Sequence, residues 1–249
     1  MTDKVLHAEL TPAEFEERLA ATPVAYLPLG TLEWHGRHMP LGSDAIQSYE
    51  FFQCLAREAG GIVLPPLFLG PDRMIETEDG DLYGMDIGEL EKRDPDKRYT
   101  NQQLPGSCYW VSDELFGEMI EAILKQLKRC GFRVVVAHGH GPSTGFFLEN
   151  AEAWKKKFGL TCLHCWDHNN ESNGIQTGHG ATNETSLVMA FKPELVKMEN
   201  LPSDINTWPL GIAGIDPRVH ASAEFGKQCV QRGVERMKKL IAEALAQEE

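Results

Sequence analysis

Residues 24–44 have the sequence VAYLPLGTLEWHGRHMPLGSD, an apolar run that ends in a polar cluster. The run Val24–Leu29 is short, nearly all apolar, and bounded by a proline and a glycine. This pattern is typical of a strand that is buried on both faces of a parallel sheet. The stretch therefore predicts an α/β fold with polar side chains at the end of its first strand.

The polar cluster contains donors that suit a metal ion. Glu33 and His35 are two residues apart, so in an extended segment their side chains point to one side, with Trp34 opposite. The glycine-containing stretch 36–42 lets the chain turn back, and Asp44, which we expect to cap the next helix, can then approach the same point. Mixed imidazole and carboxylate ligands favour zinc or manganese over magnesium. A plain surface loop is the alternative, but the position after a buried strand favours a metal site.

Strand and helix patterns alternate along the rest of the chain. We expect further strands at 62–64, 132–137 and 161–166, and helices after Thr11, at 44–59, 112–130, 145–158, 184–191 and 223–246. Alternation of this kind predicts right-handed crossovers and a three-layer α/β/α sandwich with a mostly parallel central sheet. A length of 249 residues is compatible with one domain spanning 1–249.

Residues 70–104 show no sustained helical or strand periodicity of apolar residues, and they are rich in charged residues and glycine. Loops of this length inside compact domains are usually functional or disordered. We therefore expect a long inserted loop that serves as a lid or as an oligomer contact.

Composition excludes some classes of partner. The chain has 24 Lys+Arg against 37 Asp+Glu, a formal net charge of -13, which argues against nucleic-acid binding. No stretch approaches the roughly 20 apolar residues of a membrane helix, and the start lacks the pattern of a secretory signal. We expect a cytoplasmic protein with no membrane partner.

One cysteine pair has a spacing that occurs in zinc sites. Cys162 and Cys165 form a Cys-x-x-Cys motif, and His168 follows closely. A second cysteine pair is missing, and the segment also has the pattern of a short strand with packed thiols. We favour the structural interpretation of these thiols.

Two further polar clusters follow predicted strands or begin a helix. His138 and His140 flank a glycine, so both are expected on one side of the chain, and we predict metal binding for His140 rather than an ordinary hydrogen-bonded role. The third cluster begins at His179 and includes Glu184, which otherwise is a first-turn glutamate facing the helix dipole. Ligands of open parallel sheets bind beyond the carboxyl ends of strands, where the first two clusters fall.

Taken together, the three clusters resemble the creatininase (creatinine amidohydrolase) family. The order and spacing of the matching stretches hold over nearly the whole chain. The matching stretches are residues 27–44, 135–141 and 179–186 continuing to 190–196, with weaker matches at 105–107 and 221–226.

The resemblance implies a metal centre with one or two divalent ions, Zn²⁺ or Mn²⁺. Glu33, Asp44 and His140 would hold one ion, and His35 with bridging Asp44 would hold a second. A water between the two ions would be the nucleophile, because nearby cations lower its pKa and polarise the scissile carbonyl.

The resemblance also assigns roles around the centre. His179 would transfer a proton to the departing nitrogen. Glu184 would orient His179 or complete the second metal's shell, and we favour orientation. Trp166 matches a tryptophan of the substrate pocket, and related proteins imply a homo-oligomer, specifically a hexamer.

Several positions depart from the family pattern. Gly141 and Pro142 stand where creatininase has an aromatic residue and a glutamate that completes the second metal's shell. Ile175 falls near the position of another pocket aromatic residue. His138 replaces a common asparagine and is a candidate additional ligand or substrate contact. These departures point away from creatinine as substrate and leave C–N bond hydrolysis as the reaction class.

The leading functional prediction is a metal-dependent amidohydrolase that cleaves a small cyclic or formylated amide with a metal-activated water. A metallopeptidase that trims a peptide end is the second enzyme hypothesis. The non-enzymatic alternative is a metal-binding or ligand-binding relic of the fold.

Overall fold

The computed structural model describes residues 3–88, 97–167 and 174–247. The central sheet has four strands and is flanked by helices. The strands are β1 (Val24–Leu29), β2 (Ile62–Val63), β5 (Val134–Gly139) and β6 (Thr161–Leu163), and the separate hairpin consists of β3 (Met74–Ile75) and β4 (Leu82–Tyr83). The helices are α1 (Pro12–Ala21), α2 (Ser43–Ala59), α3 (Asp113–Cys130), α4 (Gly141–Phe158), α5 (Thr182–Phe191), α6 (Pro217–His220) and α7 (Ala223–Ala246).

The order of strands in the sheet is β2-β1-β5-β6, and all its pairings are parallel. The two central strands pair along their whole length, from Val24 opposite Val134 to Leu29 opposite Gly139. Both are fully buried. The carboxyl ends of β1 and β5 therefore lie side by side, which brings the residues that follow them together.

Alternation along the strands divides the core into two layers. Val24 and Tyr26 pack on one face of the sheet with α2, α5 and α7, whereas Ala25 and Leu27 pack on the other face with α1, α3 and α4. This is the predicted α/β/α sandwich, and the fold class is confirmed.

Most predicted helix ends agree with the structure. Thr11 forms a capping box with Glu14, Ser112 caps α3, and Gly131 ends that helix in the left-handed region. Asp44 is an exception, because α2 begins at Ser43 and Asp44 lies inside its first turn. The predicted capping role of Asp44 is wrong, since its carboxylate faces two histidines instead.

Strand β5 continues two residues beyond its predicted end, and α4 begins four residues earlier than predicted. The proline at position 142 explains the early helix start, because proline suits the first turn. Strand β6 is shorter than predicted and ends at Leu163. The carbonyls of Cys165 and Trp166 accept hydrogen bonds from Arg236 rather than from a neighbouring strand.

The segment 70–104 is more ordered than the sequence indicates. It contains the β3–β4 hairpin and a 3₁₀ turn, Gly84–Asp86. Tyr83 stacks on Trp110 with ring centroids 4.8 Å apart, which attaches the hairpin to the domain. Residues 89–96 lie outside the described residues, and a role as lid or oligomer contact stays a prediction. None of the helices in the described ranges is long and apolar enough to cross a membrane.

Candidate metal centre

The turn after β1 folds back as the sequence predicts. The backbone N–H of Glu33 donates to the carbonyl of Leu41 at 3.0 Å, which closes the turn. Trp34 points away from the cluster, and its indole N–H donates to Pro105 at 2.8 Å. This arrangement leaves Glu33 and His35 free to face the first turn of α2.

Glu33, Asp44 and His140 form what we call the first triad. His140 Nδ1 lies 2.9 Å from Glu33 Oε1 and 3.2 Å from Asp44 Oδ2. All three side chains are almost completely buried, and their donor atoms lie within 4.8 Å of one another. The first triad thus joins the ends of β1 and β5.

His35, Asp44 and Glu184 form the second triad. His35 Nε2 lies 3.1 Å from Asp44 Oδ1 and 3.7 Å from Glu184 Oε2. Asp44 directs one carboxylate oxygen to each triad, so it is the bridging residue of the pair.

Backbone carbonyls orient both histidine ligands. His35 Nδ1 is 3.3 Å from the carbonyl of Glu33, and His140 Nε2 is 3.0 Å from the carbonyl of Pro71. When each imidazole is neutral, its proton is held on the nitrogen that donates to the carbonyl. The other nitrogen then presents a lone pair to the triad, as metal-ligating histidines require.

Electrostatics couples the triads strongly. Burial opposes the charge of the His35 imidazole, but neighbouring Asp44 raises the pKa of His35 to about 10. Burial likewise opposes charge on His140, and Glu33 and Asp44 raise the pKa of that imidazole. The paired histidines lower the pKa of Asp44 despite its burial, whereas burial raises the pKa of Glu184 to about 8.

The donor set fits a divalent metal. Two imidazoles and three carboxylates converge in a buried space, which is the mixture that zinc and manganese accept. Glu33, His35 and His179 also lie within 4.8 Å of one another. Asp44 belongs to two of these groups, so the geometry can accommodate two ions that share one carboxylate.

His179 lies at the border between the centre and the cavity. Its ring stacks on His35 with centroids 4.2 Å apart, and its Nε2 donates to the carbonyl of Trp34 at 2.6 Å. Burial and the charge of His35 lower the pKa of His179 to about 4, so the imidazole is neutral. Its Nδ1, 4.0 Å from Glu33 Oε1, therefore carries a free lone pair.

Glu184 occupies a different position from the one we expected. Its Oε2 accepts from the backbone N–H of Gly180 at 2.7 Å and faces His35. Among the described contacts there is no hydrogen bond between Glu184 and the ring of His179. Glu184 thus lies with His35 and Asp44 in the second triad, and both roles considered for it stay predictions.

A cavity of about 1250 Å³ opens beside the triads. Its wall combines polar residues near the triads with apolar residues. The wall includes Asp72, Arg73, Gly84, Met85, Gly141, Pro142, Trp166, Gln176 and His179.

The two predicted substrate contacts differ in outcome. Trp166 lines the cavity. His138 does not, because it is fully buried within β5. Its Nε2 donates to the carbonyl of Ile175 at 3.1 Å, and its ring meets that of Trp166 edge-on with centroids 6.0 Å apart. The two histidines differ in their contacts, because His140 faces Glu33 and Asp44 whereas His138 contacts the carbonyl of Ile175. Gly139, between them, adopts φ +147°.

Two positions that depart from the family pattern line the cavity. Gly141 lines it, and a Cβ built at that position meets nothing within 4 Å. Pro142 also lines the cavity and provides no ligand, while Ile175 is buried in the core behind the wall.

Sequence reasoning missed two residues of the site. Asp72 lines the cavity and lies 3.7 Å from His140 Nε2, and burial raises its pKa to about 6. Gln176 adopts φ +53°, and its Nε2 donates to the backbone carbonyl of Asp44 at 3.0 Å. Asp72 was detectable, since it follows strand β2 at the same edge of the sheet. Gln176 carried no sequence signal.

The Cys-x-x-Cys pair does not join a metal cluster among the described residues. Cys162 and Cys165 are free thiols, and burial raises the pKa of Cys162 to about 12. Neutral packed thiols agree with the structural interpretation, and His168 lies outside the described residues.

The fold and the paired triads define a class: an α/β/α protein with a buried candidate centre for two metal ions beside a large cavity. The creatininase family model, described as creatinine amidohydrolase, matches residues 8–81 and 97–241, so the chain belongs to the creatininase family. Membership places it among hydrolases that act on C–N bonds of small molecules.

Individual relatives agree with this assignment. A creatinine amidohydrolase of Pseudomonas putida is 27% identical over 222 residues, covering 81% of this chain and 77% of the relative. A mutant creatininase solved as its Zn-Zn type has a TM-score of 0.73 at 23% identity, covering 97% of this chain and 98% of that chain. A structure described as creatininase Mn has a TM-score of 0.71 at 23% identity, covering 96% and 98%.

Proposed function

We propose that this protein is a metal-dependent amidohydrolase whose two ions, zinc or manganese, are held by the first and second triads. The observation that carries the proposal is the sharing of Asp44 between the triads at the end of a cavity. Glu33 and His140 would complete one site, and His35 and Glu184 the other. The relatives solved in Zn-Zn and Mn forms support this choice of metals.

Bound divalent ions supply two effects in such a site: they polarise an amide carbonyl and lower the pKa of water. The chain itself provides proton transfer. His179 Nδ1 has a free lone pair, while its Nε2 is fixed on the carbonyl of Trp34. His179 therefore accepts a proton at Nδ1 from the attacking water and donates it to the departing nitrogen, which is general base catalysis followed by general acid catalysis.

The substrate we propose is a small cyclic or formylated amide that is larger than creatinine. Trp166 offers a flat apolar surface in the cavity wall. Gly141 leaves space open next to the ligand His140. A volume of about 1250 Å³ exceeds the roughly 300–1,000 Å³ typical of ligand pockets, which supports a substrate with a sizeable group beside the amide.

The same volume favours a second candidate function, trimming of a peptide end. A peptide substrate needs room on one side of the scissile bond, and the open space at Gly141 provides it. Turnover of short peptides in preference to cyclic amides would decide for this candidate.

The experiment begins by removing bound metal with a chelator and reloading the protein with zinc or manganese. The reloaded protein is then assayed for hydrolysis of creatinine, cyclic ureides, formamides and short peptides. We expect metal-dependent turnover of at least one amide class. The control is the Glu33→Gln/Asp44→Asn double variant, and turnover no higher than this control on every substrate would contradict the proposal. One tightly held ion without turnover would instead indicate a non-catalytic relic.

We also propose a cytoplasmic homo-oligomer, which the family resemblance implies as a hexamer. Light scattering on the purified protein measures its mass directly. A monomeric mass near 27.8 kDa would contradict the assembly.

A further inference from the structure

Asp72 is a carboxylate of the cavity wall that belongs to neither triad. Its side chain is 7% exposed. Oδ1 accepts a hydrogen bond from the backbone N–H of Arg73 at 2.7 Å. The described basic group within 4.0 Å of Oδ2 is His140, whose Nε2 lies 3.7 Å away, too far for a hydrogen bond. Among the described residues, Oδ2 therefore lacks a hydrogen-bond donor.

His140 is the member of the first triad that lies within 4.0 Å of Asp72. Its Nδ1 faces Glu33 and Asp44, and its Nε2 is occupied by the carbonyl of Pro71 at 3.0 Å. Under the proposed function, on which this inference rests, His140 is a neutral ligand. Among the described residues, Asp72 Oδ2 then has no cationic partner within 4.0 Å, and an unpaired buried carboxylate is energetically costly.

Other charges of the cavity wall are accounted for. Asp167 lies 3.8 Å from the guanidinium of Arg236, and the remaining buried carboxylates belong to the triads. Arg73 is exposed, and in the described part of the chain its side chain forms no ion pair within 4.0 Å. Asp72 is thus the carboxylate of this wall that is left to meet a ligand.

A specific wall encloses Asp72. Gly84 has φ +49°, its N–H donates to the carbonyl of Arg73 at 2.9 Å, and a Cβ at this position would overlap Asp72 Oδ2. Gly84 and neighbouring Met85 line the cavity. Both fall in residues 82–96, which the family model does not match, so this wall lies outside the part of the chain that the family model describes.

We propose that Asp72 is a substrate-recognition residue, and that the substrate carries a cationic nitrogen with N–H groups, an ammonium or an amidinium, close to its scissile amide. The cation donates a charge-assisted hydrogen bond to Asp72 Oδ2. Because Asp72 Oδ2 lies 3.7 Å from His140, a member of the first triad, the bound cation fixes the amide next to the metal centre.

The test compares two probes of equal shape and different charge, benzamidine and benzamide, by calorimetric titration of the zinc-loaded protein. We expect benzamidine to bind at least about tenfold more tightly, as a charge-assisted hydrogen bond requires. Asp72→Asn should abolish this preference. Asp79→Asn is the control, because it makes the same charge change at an exposed position of the same loop.

Equal affinity of the unaltered protein for the two probes would overturn the inference, as would a preference that survives Asp72→Asn. The comparison in the unaltered protein requires no variant, so poor folding of Asp72→Asn does not remove the test. Zinc content is measured first on the same sample. Protein that binds no zinc contradicts the proposed function, whereas zinc-loaded protein without a preference contradicts only the role of Asp72. A third titration with benzylamine distinguishes an ammonium from an amidinium ligand.

Discussion

The two triads share Asp44 but are delivered by the chain in different ways. Glu33 and His140 of the first triad follow adjacent parallel strands, and their contact is 2.9 Å. Glu184 of the second triad comes from α5, and its distance to His35 is 3.7 Å. The parallel sheet therefore preorganises the first triad, whereas the geometry of the second triad depends on how α5 packs against the sheet. We therefore expect the first triad to bind metal more tightly than the second.

The largest effect is expected for Asp44→Asn, which removes the ligand that both triads use. We expect both ions to be lost, and activity to fall by more than the roughly 10–100-fold typical of losing an outer-shell partner. Metal content after gel filtration and turnover measure the two losses. Asp113→Asn, an exposed acid in the first turn of α3, is the matched control and should retain both.

Substituting Glu33 and Glu184 separately distinguishes the metal affinities of the two triads, because each carboxylate belongs to one triad only. Glu184→Gln should weaken the second ion and leave the first bound, whereas Glu33→Gln should release the more tightly held ion. Competition with a chromophoric chelator gives both affinities. Two ions bound with unaltered affinity in Glu184→Gln would show that Glu184 is not a ligand.

The protonation of His35 and His140 predicts that metal binding to both triads depends on pH. The pKa of His35 is raised to about 10 and that of His140 is also raised, so both imidazoles are protonated at pH 7 before metal binds. Metal must displace these protons, and its apparent affinity should rise with pH by roughly tenfold per unit for each proton released. Calorimetry in buffers of different ionisation enthalpy measures the release. A binding enthalpy that does not depend on the buffer would contradict the protonated state of the two imidazoles.

The smallest effect is expected for substitution of Gln176, whose side-chain amide donates a hydrogen bond to the backbone carbonyl of Asp44. Gln176→Ala and Gln176→Gly both remove the hydrogen bond to the Asp44 carbonyl, but only glycine adopts φ +53° without strain. We expect zinc affinity to fall alike in both, and the free energy of unfolding of the glycine variant to be higher by about 1 kcal/mol. Thermal unfolding and zinc titration separate the two effects. A glycine variant no more stable than the alanine variant would show that the backbone at 176 is unstrained.

The first triad could be predicted from sequence and the second only in part. An apolar run of strand length followed by Glu33 and His35 indicates where side chains meet, because parallel strands end at one edge. The same rule places His140, since β5 lies next to β1. The contacts of Glu184 could not be predicted, because they depend on the packing of α5 rather than on local pattern.

Other errors have local causes. His138 was predicted as a substrate contact, but it is fully buried in β5 and does not line the cavity. The β3–β4 hairpin has strands of two residues, which are too short to produce a period in the sequence. Gln176 has no distinctive neighbours in sequence, and its role arises from a backbone conformation that only the folded chain reveals.

The most direct test of the account is anomalous diffraction from crystals of the zinc-loaded protein. We predict two zinc peaks that share Asp44, one coordinated by Glu33 and His140 and the other by His35 and Glu184, with higher occupancy at the first. A single peak without Asp44 as ligand, or zinc bound only at Cys162 and Cys165, would contradict the shared centre.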